Sequence, residues 1–126
     1  MPATFSLRRS SNDQFYFVLT AENSEPVLHS EMYTSKSSAR KGIRSVRANA
    51  PKDAAFVRRK SPRGHNYFVL TAANHKTIGM GEMYSSSRAM ENGIRAVRRV
   101  ARRSPERDLS KKPLGRGRRK PASTRV

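Results

Sequence analysis

Two short segments place a carboxylate beside a phenol, the arrangement in this sequence best suited to acid-base chemistry. Glu31-Met32-Tyr33 recurs as Glu82-Met83-Tyr84, so symmetry could bring two carboxylates together as a general acid and a general base. Neither segment has a nucleophile, a metal triad or a phosphate-binding loop beside it. We therefore expect the tyrosines to pack where a strand meets a helix, and the glutamates to bond backbone amides or helix N-termini. The sequence predicts a protein that is not an enzyme.

Metal and cofactor chemistry is not indicated either. His29, His65 and His75 fall on different predicted turns and strands, without a partner four residues away or a nearby carboxylate cluster. A zinc site needs three or four such ligands. The absence of cysteine excludes disulfides, zinc-thiolate sites and a cysteine nucleophile. We expect no metal, no cofactor and no small-molecule substrate.

A cationic excess is the most prominent chemical feature of the chain. Its 126 residues include 27 Lys and Arg against 9 Asp and Glu, for a formal net charge of +18. Such an excess predicts a polyanionic partner, most commonly nucleic acid, and leaves DNA and RNA both open. No apolar run has the length of a signal peptide or a membrane span. We expect a soluble cytoplasmic protein, with association with the nucleoid as an alternative location.

Two predicted helices carry much of this charge on their outer surfaces. Glu91 is the one acid among these positions, so the cations lack carboxylates at helical spacing and repel one another mildly. Solubility alone does not explain that arrangement, and phosphate binding is the functional interpretation. The candidate phosphate-binding residues on the helices are Arg40, Lys41, Arg44, Arg47, Arg88, Arg95, Arg98 and Arg99.

Further candidates lie near the C-terminus, in the segment Gly115-Arg116-Gly117-Arg118-Arg119-Lys120-Pro121. It resembles an AT-hook, in which an Arg-Gly-Arg core lies deep in a narrow minor groove. The proline expected directly after that core is Arg119 here. A polybasic tail that binds phosphate without reading sequence is therefore favoured over an AT-hook, through Arg116, Arg118, Arg119 and Lys120.

Tyr16 and Tyr67 are predicted on the non-core face of two central strands, where they could stack against bases as in sheet-based RNA binders. No aromatic RNA-binding signature surrounds them. Val18 and Val69 make the same face apolar, so packing against the other repeat is the favoured interpretation.

An internal duplication positions those of these residues that lie on the predicted strands and helices. At an offset of 51, 16 of the 32 positions from residue 16 to residue 47 are identical to residues 67–98. Period-two alternation predicts that Phe17 and Leu19 face the core, and Ser35 is a plausible N-cap for a helix that buries Ile43. Pro51 ends that helix. Each unit therefore reads β-β-β-α.

One unit of this size buries too little apolar surface to be stable on its own, so two units should share a core. The predicted fold is α+β: duplicated β-β-β-α units related by a pseudo-two-fold axis, forming an antiparallel sheet with two helices. Residues 1–101 form one domain with repeats at about 5–50 and 56–101. From Arg102 the apolar pattern stops, and residues 102–126, with a net charge of +8, are predicted to be a disordered basic tail.

These residues resemble the YegP-like family of small tandem-repeat bacterial proteins. The resemblance rests on the pattern Phe17-x-Leu19-x-Ala21-x-Asn23, Ser30-Glu31-x-Tyr33 and Gly42-Ile43-x-Ser45-Val46, which the second copy largely repeats. It implies the duplicated β-β-β-α fold and either a monomer or a homodimer, without assigning a biochemical role. The usual Asn-Gly turn of the family is Asn23-Ser24 and Asn74-His75 here, which loses the residue most tolerant of positive φ.

The sequence leaves two functions open. The first is non-enzymatic binding of nucleic acid through the helices and the tail, with little sequence specificity. The alternative is a structural or protein-interaction module that binds no nucleic acid. Counterion release separates them, because only phosphate binding gives a steep dependence of affinity on salt.

Overall fold

The computed structural model describes residues 2–110, in which a single sheet carries two helices on one face. The first repeat supplies β1 (Thr4–Arg9), β2 (Phe15–Thr20), β3 (Pro26–Ser30) and α1 (Lys36–Asn49). After a 3-10 turn at Asp53–Ala55, the second supplies β4 (Phe56–Lys60), β5 (Asn66–Thr71), β6 (Thr77–Met80) and α2 (Ser87–Val100). A last strand, β7, spans Glu106–Asp108. The predicted duplication of a β-β-β-α unit is confirmed.

The sheet runs continuously through both repeats. Its strand order is β4-β5-β6-β3-β2-β1-β7, with antiparallel neighbours except for the parallel pair of β1 and β7. At the centre, β3 pairs with β6, and His29 lies opposite Met80. These two residues are equivalent under the 51-residue offset, so the predicted pseudo-two-fold axis passes between them.

Alternation along the strands decides which side chains reach the core. The strand β2 lies between β1 and β3. Its Phe17 and Leu19 are fully buried, whereas Tyr16 points to the opposite face of the sheet. Phe68 and Leu70 repeat this pattern in β5. Both strands point these side chains to the same face of the sheet, so a single apolar layer lies between the sheet and the two helices.

Each helix begins at a serine, as the sequence predicts for Ser35. The Ser35 hydroxyl accepts a hydrogen bond from the Ser38 amide, and Ser86 does the same for the Ala89 amide. Helix α1 contacts β2 of its own repeat but also β5 and β6 of the other, and α2 contacts β3 as well as β5. The helices therefore interlock the two repeats in one core.

The predicted start of a tail at Arg102 is wrong, because residues 102–110 are part of the fold. β7 lies beside β1, where the Phe5 amide donates to the Pro105 carbonyl and the Leu109 amide donates to the Leu7 carbonyl, both at 2.8 Å. Asp108 lies 3.0 Å from the Lys36 ammonium. Hydrogen bonds from Ser110 and the nearby Lys36 hold the pKa of Asp108 below its usual range. The predicted tail residues 111–126 lie outside the described residues.

Four tight turns contain a residue in the left-handed region. Gly64 has φ 84° in the β4–β5 turn, and its equivalent Asp13 has φ 62°. In the β2–β3 and β5–β6 turns, Ser24 has φ 67° and His75 has φ 68°. The latter two stand where the resemblance places glycine, so the strain expected from the sequence is present in the backbone.

Candidate nucleic-acid interface

The outer surfaces of both helices expose cations because the apolar residues follow the opposite side. Ile43 in α1 and Ile94 in α2 are each 1% exposed and face the sheet. The next residue in each helix, Arg44 or Arg95, is exposed. A step of one residue rotates the helix by about 100°, which carries the arginine away from the core.

A cationic groove forms where the C-terminal turns of the two helices approach each other. It consists of two shallow clefts that share Pro51 and Arg102. The basic residues that line the groove are Arg44, Arg47, Lys52, Arg95, Arg98, Arg99 and Arg102. No carboxylate of residues 2–110 is among the lining residues, so the groove concentrates positive potential.

Three cations of the groove are available to an external anion. Arg44, Lys52 and Arg102 are exposed, and each lacks a carboxylate partner within the described part of the chain. A cationic side chain in this state can neutralise a phosphate of a nucleic acid. Each neutralised phosphate releases counterions condensed on the nucleic acid, which supplies most of the affinity in binding without sequence specificity.

Arg95 of the groove donates to the Asn92 side chain, and two further arginines, Arg47 and Arg98, are also held by the fold. Arg47 donates to the Ser104 carbonyl at 2.8 Å, and its guanidinium lies 5.2 Å from the centre of the Phe5 ring. Arg98 donates to the Pro51 carbonyl at 3.1 Å and lies 3.6 Å from Asp53. These contacts fix the positions of the guanidinium groups and leave donors for a ligand, since each guanidinium carries five.

Four predicted phosphate-binding residues have other environments. Arg40 lies 2.8 Å from Glu106 of β7 and 3.5 Å from Asp108, so it anchors the last strand instead of facing a ligand. Lys41 and Arg88 are exposed but line neither cleft. Arg99 lines the groove while bound to Glu22 at 2.8 Å, and this contact lowers the pKa of Glu22.

Sequence reasoning missed Lys52 and Arg102 as part of this surface. Lys52 lies in the connection between the repeats, and Arg102 lies where the sequence predicts a tail. The available signal was their position one or two residues beyond Ala50 and Ala101, the buried alanines at the two helix ends. The structure brings these two ends together across about 50 residues of chain, a proximity that no local pattern encodes. The predicted Arg116, Arg118, Arg119 and Lys120 lie outside the described residues.

The two tyrosines of the Glu-Met-Tyr segments pack at the strand-to-helix joints, as predicted. Tyr33 lies over Gly42 of α1, where an added Cβ atom would approach the phenol closer than 3.0 Å. Tyr84 lies over Gly93 of α2 in the same way. Burial, followed by the charge of a neighbouring glutamate, raises the pKa of both phenols. Each tyrosine also stacks on a core phenylalanine, so the pair is part of the packing.

The glutamates of these segments behave differently from expectation. Glu82 pairs with the imidazole of His29 across the centre of the sheet, and Glu31 is exposed. The prediction that they bond backbone amides or helix N-termini is wrong for Glu82, because the pseudo-axis places His29 within its reach. Across residues 2–110, no group of three or more His, Asp and Glu side chains could hold a metal ion.

Tyr16 and Tyr67 do not pack against the other repeat. Both helices lie on the opposite face of the sheet, and the two tyrosines are half-buried on a face that carries no other described helix or strand. The interpretation favoured from the sequence is wrong, because the shared core uses the face of Phe17 and Phe68 alone. The open face therefore remains a candidate surface.

Comparison with known protein families places this architecture among related chains. Residues 10–56 and 62–108 each match a family described as Domain of unknown function (DUF1508). A UPF0339 protein from Shewanella oneidensis is 44% identical over 110 residues, which cover 87% of this chain and 100% of that protein. UPF0339 protein YegP from Escherichia coli K12 is 47% identical over 98 residues, covering 78% of this chain and 89% of YegP.

Two solved structures share the fold. The solution NMR structure of yegP from E. coli, described as a protein of unknown function, matches with a TM-score of 0.84 at 42% identity and covers 90% of this chain and 97% of its own. The solution NMR structure of the S. oneidensis UPF0339 protein gives 0.82 at 44% identity, covering 87% and 93%. The resemblance seen in the sequence is confirmed. None of the helices in residues 2–110 is long and apolar enough to cross a bilayer.

Proposed function

The chain belongs to the family of the domain of unknown function DUF1508, and from its surface we propose that it binds nucleic acid through phosphate groups, without catalysing a reaction. The cationic groove between the ends of α1 and α2 is the observation that carries this proposal. Seven cations line it, and no described carboxylate does. Phosphate contacts position a protein on nucleic acid without reading bases, so little sequence preference is expected.

The charge balance supports an external polyanion. Residues 2–110 contain 20 Lys and Arg and all nine Asp and Glu, a formal net charge of +11. Seven of the nine carboxylates lie within 4.0 Å of a basic nitrogen. The acids are thus largely engaged within the fold, and the remaining cations have to be neutralised by counterions or by a ligand. A phosphate backbone offers regularly spaced charges and an entropic gain from released counterions.

The shape of the groove favours a ligand that lies across it. Its two clefts are open and shallow, whereas sites for small molecules enclose most of their ligand. Arginine provides planar forks that match phosphate oxygens, and six of the seven lining cations are arginines. An extended polyanion therefore fits the groove better than a compact metabolite does.

Salt titration tests the proposal. Affinity for a 15-base-pair DNA duplex and a 15-nucleotide single strand is measured by fluorescence anisotropy between about 20 and 200 mM salt. Replacing Arg44, Lys52 and Arg102 by Gln should weaken binding to both and reduce the slope of log K against log salt by roughly 0.9 per lost phosphate contact on the duplex.

A matched variant controls for net charge. Replacing Lys60, Arg63 and Lys76 by Gln removes the same three charges from exposed positions in β4 and two turns, outside the groove. If this control loses as much affinity and slope as the groove variant, binding is a property of total charge and the groove is not the site. If the full-length protein binds neither nucleic acid at 20 mM salt, the proposed function is wrong and an interaction module becomes the better explanation.

A further inference from the structure

The face of the sheet opposite the helices carries a continuous row of side chains that crosses all seven strands. Register pairs place these side chains next to one another on the same side of the sheet. The row consists of Arg107, Ser6, Val18, His29, Met80, Val69 and Val57. It is mainly uncharged in its interior, and Met80 and Val57 are exposed apolar residues within it.

A tyrosine and an arginine form a cross-strand pair on each side of this row. Tyr16 lies opposite Arg8, and Tyr67 lies opposite Arg59, so the pseudo-two-fold axis repeats the arrangement. The tyrosines are half-buried and both arginines are exposed. Neither arginine has a carboxylate partner within residues 2–110. An aromatic ring beside a free guanidinium is the combination that holds a base by stacking and its phosphate by charge.

A carboxylate completes each pair on the inner side. Glu31 falls between the register pairs Val18–His29 and Phe15–Tyr33, which places it next to Tyr16. Glu82 follows β6 at the equivalent position, but its carboxylate pairs with the His29 imidazole. These acids repel phosphate toward the arginine side of each ring. The exposed Glu31 can also accept a hydrogen bond from the exocyclic amino group of a base stacked on Tyr16, whereas Glu82 is already engaged by His29.

The two platforms are too far apart for neighbouring bases. β2 and β5 are separated by three strand spacings, and the two tyrosines lie on opposite sides of the central row because these strands run in opposite directions. Standard strand geometry gives a separation of roughly 20 Å. A chain that engages both rings has to run diagonally across the sheet with several nucleotides between the stacked bases.

We infer that this open face binds a single-stranded nucleic acid, with bases stacked on Tyr16 and Tyr67 and phosphates at Arg8 and Arg59. The inference rests on the proposed function and adds the class of strand. A duplex keeps its bases stacked on one another and offers no free base face to a tyrosine. The remaining segment of this chain, residues 111–126, contains seven Lys and Arg and no acid, so its charge does not complement the arginines of this face.

The single-strand site on the open face and the cationic groove can be tested independently. The sheet lies between the open face and the helices, so a ligand on one side does not touch the residues of the other. Loss of the tyrosines should affect single strands alone. Loss of the groove cations should affect the duplex as well.

The decisive variant replaces Tyr16 and Tyr67 by Thr, which keeps strand propensity while removing the rings. We expect its affinity for U15 and dT15 to fall about fivefold or more for each ring, and its affinity for a 15-base-pair duplex to stay within twofold. The matched control replaces both tyrosines by Phe, which keeps the ring and should retain single-strand binding. Comparison of U15 with dT15 shows whether the 2′-hydroxyl contributes.

Intrinsic fluorescence gives a second measurement that does not depend on affinity alone. The chain contains four tyrosines and no tryptophan, so tyrosine emission is not masked. Saturation with U15 should quench the wild-type emission through Tyr16 and Tyr67. The quenching should disappear in the threonine variant, in which Tyr33 and Tyr84 remain in the core.

Unchanged single-strand binding in a folded threonine variant overturns the inference and leaves the groove proposal standing. Equal losses for U15 and duplex also overturn it, because stacking is then not selective. If the threonine variant fails to fold, replacing Arg8 and Arg59 by Gln takes its place, and unchanged U15 affinity overturns the inference. Absence of any binding by the wild type at low salt overturns both proposals together.

Discussion

Single residues show why the repeat preserves particular amino acids. Gly42 and Gly93 are identical in the two copies because each helix must accept a tyrosine ring against its backbone. Tyr33 and Tyr84 are half-buried at these positions, and burial raises their phenol pKa. Packing therefore explains the tyrosine of the Glu-Met-Tyr segment, the segment whose residue types most resemble an active site.

Gly42→Ala should lower the free energy of unfolding by about 1–3 kcal/mol, because a Cβ atom would overlap the Tyr33 phenol. Tyr33→Phe removes the phenolic oxygen, the closest atom to that Cβ, and should recover part of the loss in the double variant. Urea denaturation of the two single variants and the double variant measures this coupling. Strictly additive effects would show that the overlap is not the cause.

His75→Gly should raise the free energy of unfolding by up to about 1 kcal/mol. His75 has φ 68°, where a Cβ atom is unfavourable, and the gain from glycine exceeds its cost in chain entropy. Gly64→Ala at φ 84° is the opposite change and should lower stability by a similar amount. Thermal melts can compare the two, and a destabilised His75→Gly protein would contradict this explanation.

At the scale of elements, the last strand is the largest departure from the sequence-based expectation. β7 contains Glu106, Arg107 and Asp108, which have no apolar residue among them. It is held by backbone pairing to β1 and by ion pairs to Lys36 and Arg40 of α1. A hydrophobic pattern cannot reveal a strand whose partners are charges and backbone groups more than 60 residues away.

Truncation after Ser110 should barely change the melting temperature, whereas truncation after Ala101 should cost at least about 1–3 kcal/mol. The shorter protein loses the whole backbone pairing of β7 with β1 and the contact of Arg47 with the Ser104 carbonyl. Ser104 and Ser110 are buried, so their removal also exposes neighbouring surface. Equal melting temperatures for the two truncations would show that β7 adds nothing to stability.

The remaining elements could be predicted from the sequence because each pattern occurs twice. Strand alternation around Phe17 and Phe68, and the serine N-caps at Ser35 and Ser86, support each other through the 51-residue offset. The candidate site was only partly predictable. The helix cations follow from helical spacing, but the groove depends on how the two helix ends meet near Pro51, and that proximity is set by the tertiary arrangement.

For the whole molecule, interlocked helices imply a single cooperative unit. α1 contacts β5 and β6 of the second repeat, and the buried residues of both repeats form one main cluster. Neither half can then lose its packing without exposing the apolar surface of the other.

Ile43→Ala and Ile94→Ala should each cost about 2–5 kcal/mol, since both side chains are almost fully buried at equivalent positions. Each variant should unfold in one transition, with circular dichroism and tyrosine fluorescence giving the same midpoint. Two separate transitions in either variant would indicate independently stable halves.

The pairing of β7 with β1 also sets an order of events during protein synthesis. About 100 residues separate the two strands, so at a translation rate of roughly 5–20 residues per second β1 exists for about 5–20 s before β7 is made. Throughout that interval, the Phe5 amide and the Leu7 carbonyl form an open strand edge on the nascent chain. β7 therefore covers a strand that is synthesised about 100 residues earlier, and a translational stall before Glu106 leaves that edge exposed to neighbouring nascent chains.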